Sequence, residues 1–153
     1  MTNIKKYRII CNELFIIEAG RRLAPKDIMS ENNSESREMY LKTISILKER
    51  KGKVKAKDVA EELNISPAAV SKAFRILVRN GYIQPDHATC VNFTPLGEEK
   101  AESLCERFRI VSLGLQKLGV PPELAHETAC KMEHVLSDEV FEIIKKHITE
   151  EKL

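Results

Sequence analysis

The tetrapeptide Asn64-Ile65-Ser66-Pro67 constrains this chain more than any other feature. Ser66 is a good helix N-cap, and Pro67 suits the first helical position, where its missing N–H costs nothing. A helix therefore starts here and runs to about Asn80, where Gly81 ends it. Lys57 to Leu63 reads as a short helix just before the turn. Taking Ala60 as the small residue that lets the two helices cross closely, Val59, Leu63, Ile65 and Val70 fall where a helix-turn-helix buries its apolar contacts. Asn64 falls at the turn, where a left-handed conformation is wanted and Asn tolerates it better than most residues. The competing reading is an ordinary helical hairpin in a bundle.

The flanks weigh against the hairpin. From Arg37, Met39, Tyr40, Ile44 and Leu47, supported by Leu41 and Ile46, recur at helical spacing until Gly52. Tyr82 to Phe93 holds strand-like pieces around the polar tip Asp86-His87-Ala88-Thr89, which predicts a short two-stranded ribbon. Thr94-Pro95 opens a long helix to about Leu118, stopped by Gly119. Pro121-Pro122 starts another through Leu136, and Ser137 caps a last one through Ile148. Helix, helix, turn, helix, ribbon is the order of a winged helix-turn-helix. The expected fold is mainly α with a small two-stranded β wing: a winged helix-turn-helix domain over 35–94, then an all-helical domain over 95–150. Residues 1–34 read as an N-terminal extension and linker, because Ile4 to Leu23 forms no clean apolar stripe and Pro25 to Ser36 is polar.

Composition narrows the classes. The chain has 153 residues, 42% of them hydrophobic and 31% charged. That is about one domain's worth, by the usual ~100–200 residues per domain. No apolar run approaches the ~20 residues of a membrane span, and residues 1–30 lack the order of a secretory signal. The four Cys have no CxxC spacing, so neither a structural zinc site nor a disulfide framework is indicated. A reduced, cytoplasmic setting is expected, with Cys11, Cys90 and Cys105 as small apolar fillers. The net charge of +2 hides a dipole. Lys48 to Asn80 carries nine basic residues against four acidic, and Pro121 to Leu153 carries four against eight. A basic middle suits a polyanionic partner at one end only.

If the motif reads double-stranded DNA, the helix after the turn enters the major groove by its N-terminal turns. Ser66, Pro67, Ala68, Ala69, Ser71 and Lys72 then face the DNA. Small residues allow close approach, Ala methyls can touch thymine methyls, and Lys72 reaches a guanine edge or a phosphate. Arg75 and Arg79 lie further along and grip the backbone, which positions without specifying.

A second constellation lies in Cys130-Lys131-Met132-Glu133-His134. On a helix, Cys130, Glu133 and His134 stand at i, i+3 and i+4, so thiol, carboxylate and imidazole share a face. The bland alternative is a buried Cys beside a surface Glu and His in a helix–helix contact. A metalloenzyme would need a second catalytic constellation. The sequence offers none, and an enzyme is not expected.

Three stretches now combine: Glu38 to Ile44, the helix-turn-helix, and Cys130 to Val140. Together they resemble the diphtheria-toxin-repressor and manganese-transport-regulator (DtxR/MntR) family of metal-activated repressors, over residues 35–149. The resemblance implies a metal-binding and dimerisation role for the second domain. It carries the primary metal site onto Met39, Cys130, Glu133 and His134, as in the toxin-repressor branch. The family's ancillary site is mostly lost, because Phe108 and Ser112 stand at two donor positions and Lys42 at a carboxylate position. His126 remains, expected to face solvent or to stand behind a ligand. One divalent transition metal per protomer is therefore expected. Thioether and thiolate favour Fe(II), with Mn(II), which prefers oxygen, the less suited ion. Leu124, Ala125, Met132, Val135, Leu136, Val140, Ile143, Ile144 and Ile148 give more apolar surface than the last helices can bury alone, which implies a homodimer on a palindromic operator. The expectation is an iron-responsive DNA-binding repressor of metal-uptake genes. The alternative is a winged-helix regulator that no longer senses metal and answers to redox through Cys130 or to a small ligand.

Overall fold

A computed structural model describes residues 34–150. Cys11 and the leading extension lie outside the described residues. Among those described, six α-helices and three short strands follow the order α1 (Ser34–Lys51), β1 (Val54–Lys55), α2 (Ala56–Leu63), α3 (Pro67–Arg79), β2 (Ile83–Pro85), β3 (Cys90–Phe93), α4 (Pro95–Lys117), α5 (Pro122–Met132) and α6 (Asp138–Glu150). A 3-10 turn, His87–Thr89, precedes β3. The chain divides into two compact units, whose described parts are 34–102 and 103–150. The division falls inside α4.

In the first unit α1 is buried on several sides. Of the expected stripe Tyr40, Ile44 and Leu47 are buried with the supporting Leu41 and Ile46, Met39 is half-buried, and Lys42 and Thr43 are buried beside them. Gly52 takes a left-handed turn (φ +75°) and its N–H donates to the Lys48 carbonyl, closing the helix. The chain then enters β1, which the sequence did not announce. It pairs antiparallel with β3, Val54 opposite Val91, so the ribbon is a three-strand sheet in the order β1-β3-β2. β2 and β3 keep the hairpin register Ile83–Phe93 and Pro85–Val91. Two residues carry little period-2 signal, which is why β1 cannot be read from the sequence.

The start of α2 is held by Asp58 in its first turn, whose carboxylate accepts the Lys55 backbone N–H at 2.8 Å. It stops in the arrangement the turn demands. Asn64 is left-handed (φ 53°, ψ 46°), its N–H donates to Glu61, and Ile65 donates to Ala60. This is the paired bond pattern that satisfies carbonyls at a helix C-terminus. Val59, Ala60 and Val70 are buried between α2 and α3, while Leu63 and Ile65 are partly exposed. α4 opens with Thr94 as cap, its hydroxyl accepting the Gly97 N–H at 3.1 Å.

In the second unit Phe108 and Val111 of α4 and Ala129 of α5 form a small core, with Leu115, Cys130, Met132 and Leu136 packed against it. α6 lies along α4. Ile148 fits over Gly114, Lys145 pairs with Glu106 at 2.9 Å, and Lys117 Nζ donates to the Ile148 carbonyl. Helix α5 ends at Met132, four residues before the spacing suggests. Two observations give the reason. Ser137 accepts the Val140 N–H to cap α6, and Arg107 takes the Leu136 carbonyl at 2.8 Å. A chain that must begin a new helix at 138 has to leave the old one first.

Candidate nucleic-acid interface and metal centre

The α3 helix sorts its residues sharply. Val70, Phe74 and Leu77 face inward. Ser66, Pro67, Ala68, Ser71, Lys72, Arg75 and Arg79 are exposed, and Ala69 is half-buried. Ser66 is extended (φ −68°, ψ 143°), and its hydroxyl accepts the Ala69 N–H at 3.2 Å. The eight positions nominated for DNA thus lie along one side of a helix whose other side packs into the unit.

The nine basic residues of this stretch do not act alike. Arg50 pairs with Glu62 at 3.1 Å and Lys51 with Asp58 at 2.9 Å, holding the end of α1 against α2. Burial pushes the Asp58 carboxyl up, but the Lys51 ammonium and the Lys55 amide outweigh it and hold it below the usual carboxylate range. Lys48 lies over the Phe93 ring, 5.5 Å from its centroid. Lys53, Lys57, Lys72, Arg75 and Arg79 are exposed, and Lys55 is half-buried. The ribbon adds a polar tip. Asp86 caps the 3-10 turn and accepts from Asn92 Nδ2 at 2.9 Å. His87 is exposed beside it.

In the second unit Cys130 sits half-buried in the last turn of α5. Glu133 is the C-cap and keeps helical angles (φ −57°, ψ −29°), its N–H donating to the Ala129 carbonyl. His134 lies beyond the helix, so helical spacing alone does not aim its ring. The turn does bring two of the donors together. His134 Nε2 is 3.5 Å from Glu133 Oε1, with the carboxylate side chain only 1% exposed. Among the described residues no group of three or more His, Cys, Asp or Glu stands ready to hold an ion. Met39, half-buried on α1, belongs to the first unit, where its carbonyl accepts the Thr43 hydroxyl at 2.8 Å.

The donor chemistry nevertheless fits a cation. A carboxylate taken out of water costs several kcal/mol unless charge or hydrogen bonds accompany it, and His134 Nε2 stands beside this one. Thiol, carboxylate and imidazole within five residues are a set that intermediate divalent metals accept.

Of the two places expected for His126, the solvent-facing one is excluded. Its ring is 2% exposed, tilted against Phe108 at 6.1 Å between centroids, with Nε2 3.2 Å from Gln116 Nε2. Gln116 in turn donates to the Ser112 hydroxyl at 3.1 Å. The positions assigned to a lost second site thus make a mixed apolar and hydrogen-bonded cluster. Burial pushes the His126 pKa down, more than Glu123 lifts it. Arg107 was missed altogether. Its signal was a basic residue inside the apolar spacing Leu104, Phe108, Val111, Leu115.

With this geometry in hand, similarity to known proteins decides the family. Residues 33–89 match the family model "Iron dependent repressor, N-terminal DNA binding domain", and residues 94–151 match "Iron dependent repressor, metal binding and dimerisation domain". The chain belongs to the iron-dependent repressor family. Members of this DtxR/MntR family are transcriptional regulators and not enzymes. An HTH-type transcriptional regulator of Methanocaldococcus jannaschii is 35% identical over 114 residues, 73% of this chain and 91% of that one. Transcriptional regulator MntR of Salmonella typhimurium is 37% identical over 103 residues, 67% of this chain and 66% of that one. The structure of the manganese regulator SloR superposes with a TM-score of 0.66 at 30% identity, over 76% of this chain and 55% of SloR. The chain thus spans just over half the length of that solved regulator. The iron-dependent repressor architecture, a DNA-binding domain and then a metal-binding and dimerisation domain, indicates DNA and a second copy of the chain as partners. No described helix is long and apolar enough to cross a membrane.

Proposed function

We propose that this chain is a metal-activated, iron-responsive DNA-binding repressor of metal-uptake genes, working as a homodimer on a palindromic operator. The observation that carries the metal half is the Glu133 carboxylate, 1% exposed and 3.5 Å from His134 Nε2, one turn after Cys130. Cys130, Glu133 and His134, with Met39 from the DNA-binding segment, are the proposed donors. A bound divalent ion would be held by this carboxylate together with the neighbouring imidazole and thiol. Glu133 and His134 are held by the turn, Cys130 by the last turn of α5, and Met39 by α1. Because the proposed donors come from both segments, metal loading is coupled to the competence of the DNA-binding segment. The competent fraction, and with it the apparent affinity, then follows metal loading. A coupling of about 1–3 kcal/mol suffices for a ~5–150-fold change in affinity.

On the DNA side, Ser66, Pro67, Ala68, Ala69, Ser71 and Lys72 present the base-reading turns, and Arg75 and Arg79 engage phosphates. Thioether and thiolate favour Fe(II) over Mn(II). Two solved structures similar to this chain are nonetheless named for manganese: SloR is called a manganese regulator, and another is called a manganese-dependent transcriptional repressor complex with manganese.

The test is footprinting of operator DNA with Fe(II) and Mn(II) titrated in parallel, anaerobically, with chelator and with Met39→Ala. Protection appearing with Fe(II) at lower free metal than with Mn(II), and lost with chelator or in Met39→Ala, is expected. Chelator-insensitive binding returns the chain to a winged-helix regulator answering to redox or a small ligand.

A further inference from the structure

The turn that carries Glu133 and His134 is fastened at both ends. Its entrance is the Glu133 N–H on the Ala129 carbonyl. Its exit is Arg107 of α4. The Arg107 side chain is 11% exposed, and Nη1 donates to the Leu136 carbonyl at 2.8 Å. Nη2 meets the Asp138 carboxylate at the start of α6. The guanidinium lies over the buried Phe141 ring, 4.8 Å from its centroid. Its neighbour Phe108 packs in the cluster that includes Cys130, Met132 and Leu136.

A buried cation is expensive, and this one is used for geometry. The backbone from 133 to 136 must leave the helix early, and Arg107 takes the carbonyl that a continuing helix would have paired. A guanidinium offers rigid, forked donors and no lone pair for a metal. It can fix the carbonyl, the Asp138 carboxylate and the ring at once, which an ammonium cannot do in one geometry. Asp138 itself is 98% exposed, so pairing with it cannot explain the burial of Arg107.

We infer that Arg107 is a positioning residue for the metal centre, setting the spacing of Glu133 and His134 relative to Cys130 without touching the ion. The inference rests on the proposed donor set. Losing a partner behind metal ligands lowers metal affinity by about 10–100-fold.

The experiment uses the full chain and Co(II), which reports its ligands by colour. Affinity is measured by chelator competition, coordination by the thiolate-to-cobalt and ligand-field bands, and folding by circular dichroism. Three variants are compared with the wild type: Arg107→Met, Arg107→Lys and Asp138→Ala. Arg107→Met should keep helical content, bind Co(II) about 10–100-fold more weakly and show altered ligand-field bands. Arg107→Lys should recover part of the affinity. Asp138→Ala should stay within a few-fold of wild type, because the Leu136 bond survives. A folded Arg107→Met with wild-type affinity and spectrum overturns the inference. Should Arg107→Met not fold, Arg107→Lys decides, and an unchanged affinity and spectrum in that variant overturns it. Glu133→Gln and His134→Ala separate the two ideas. If they bind Co(II) as the wild type does, the donor set is wrong and the inference falls with it. If they lose Co(II) while the Arg107 variants do not, only the positioning role is wrong.

Discussion

At Gly97 one methyl group decides whether two segments can meet. A Cβ there would lie 1.8 Å from the Tyr82 carbonyl oxygen, a backbone atom that cannot rotate away. Gly97→Ala is expected to destabilise the first unit by about 1–3 kcal/mol, read as a lower denaturant midpoint. His126 gives a pH prediction. Burial lowers its pKa in the folded chain, so the unfolded chain binds the proton more readily. The stability from a neutral His126 is whole above the ordinary histidine pKa near 6.5 and drains away as pH falls below it. With chelator present, melting should drop more between pH 7.5 and 5.5 in wild type than in His126→Gln, about those set points; parallel slopes would refute the assignment. The sequence showed that His126 existed, not where it sat. Its burial depends on Phe108 and Gln116, ten and more residues away, and no local spacing encodes that contact. Ser66, Pro67 and Asn64 were legible because caps and left-handed turns are set by a few adjacent residues.

Helix α3 is the element on which the DNA reading can be tested position by position. Its inner side is fixed by Val70, Phe74 and Leu77, so substitutions on the outer side leave packing alone. Arg75→Ala and Arg79→Ala should each lower the slope of log affinity against log salt by about one, almost equally for all sequences. Lys72→Ala should instead cost about 1–3 kcal/mol at the preferred operator and relax the preference at one base pair. Binding measured over a salt series, on operator and on scrambled DNA, separates the two behaviours. Most helices could be placed from sequence because their ends are punctuated: Gly52, Gly81 and Gly119 follow them and Pro67, Pro95 and Pro122 start them. The early end of α5 is marked locally only by Ser137, which caps the next helix. The Arg107 bond to the Leu136 carbonyl, from twenty-nine residues back, shows only in the folded chain.

At the scale of the molecule, the matched dimerisation domain and the exposed apolar residues of α6 make one prediction. Val140 and Ile143, 44% and 65% exposed, stand one turn apart on α6, whose buried residue is Phe141. Replacing both by Lys should weaken self-association at least about a hundredfold, the loss of burial of two aliphatic side chains at ~1.5–3 kcal/mol each, with helical content unchanged. Sedimentation at graded concentration reads the result, and an unchanged dimer would place the contact elsewhere. The fold class could be read ahead of the structure because element order survives in sequence. The way the charges are divided could not: only in three dimensions do Arg50 and Lys51 turn out to be partnered by Glu62 and Asp58.

The two-residue strand β1 has a consequence for what the chain will accept. It is joined to α1 by Gly52 and Lys53 alone and leads straight into α2, while it pairs with β3. An added residue at that junction shifts the Val54–Val91 register and turns Val54, 1% exposed, outward. The ribbon tip at 86–89 closes a hairpin and is bound by no such register on its outer side. A dye-bearing loop or an epitope can be spliced into the tip, whereas a single extra alanine beside Gly52 should ruin the reading head.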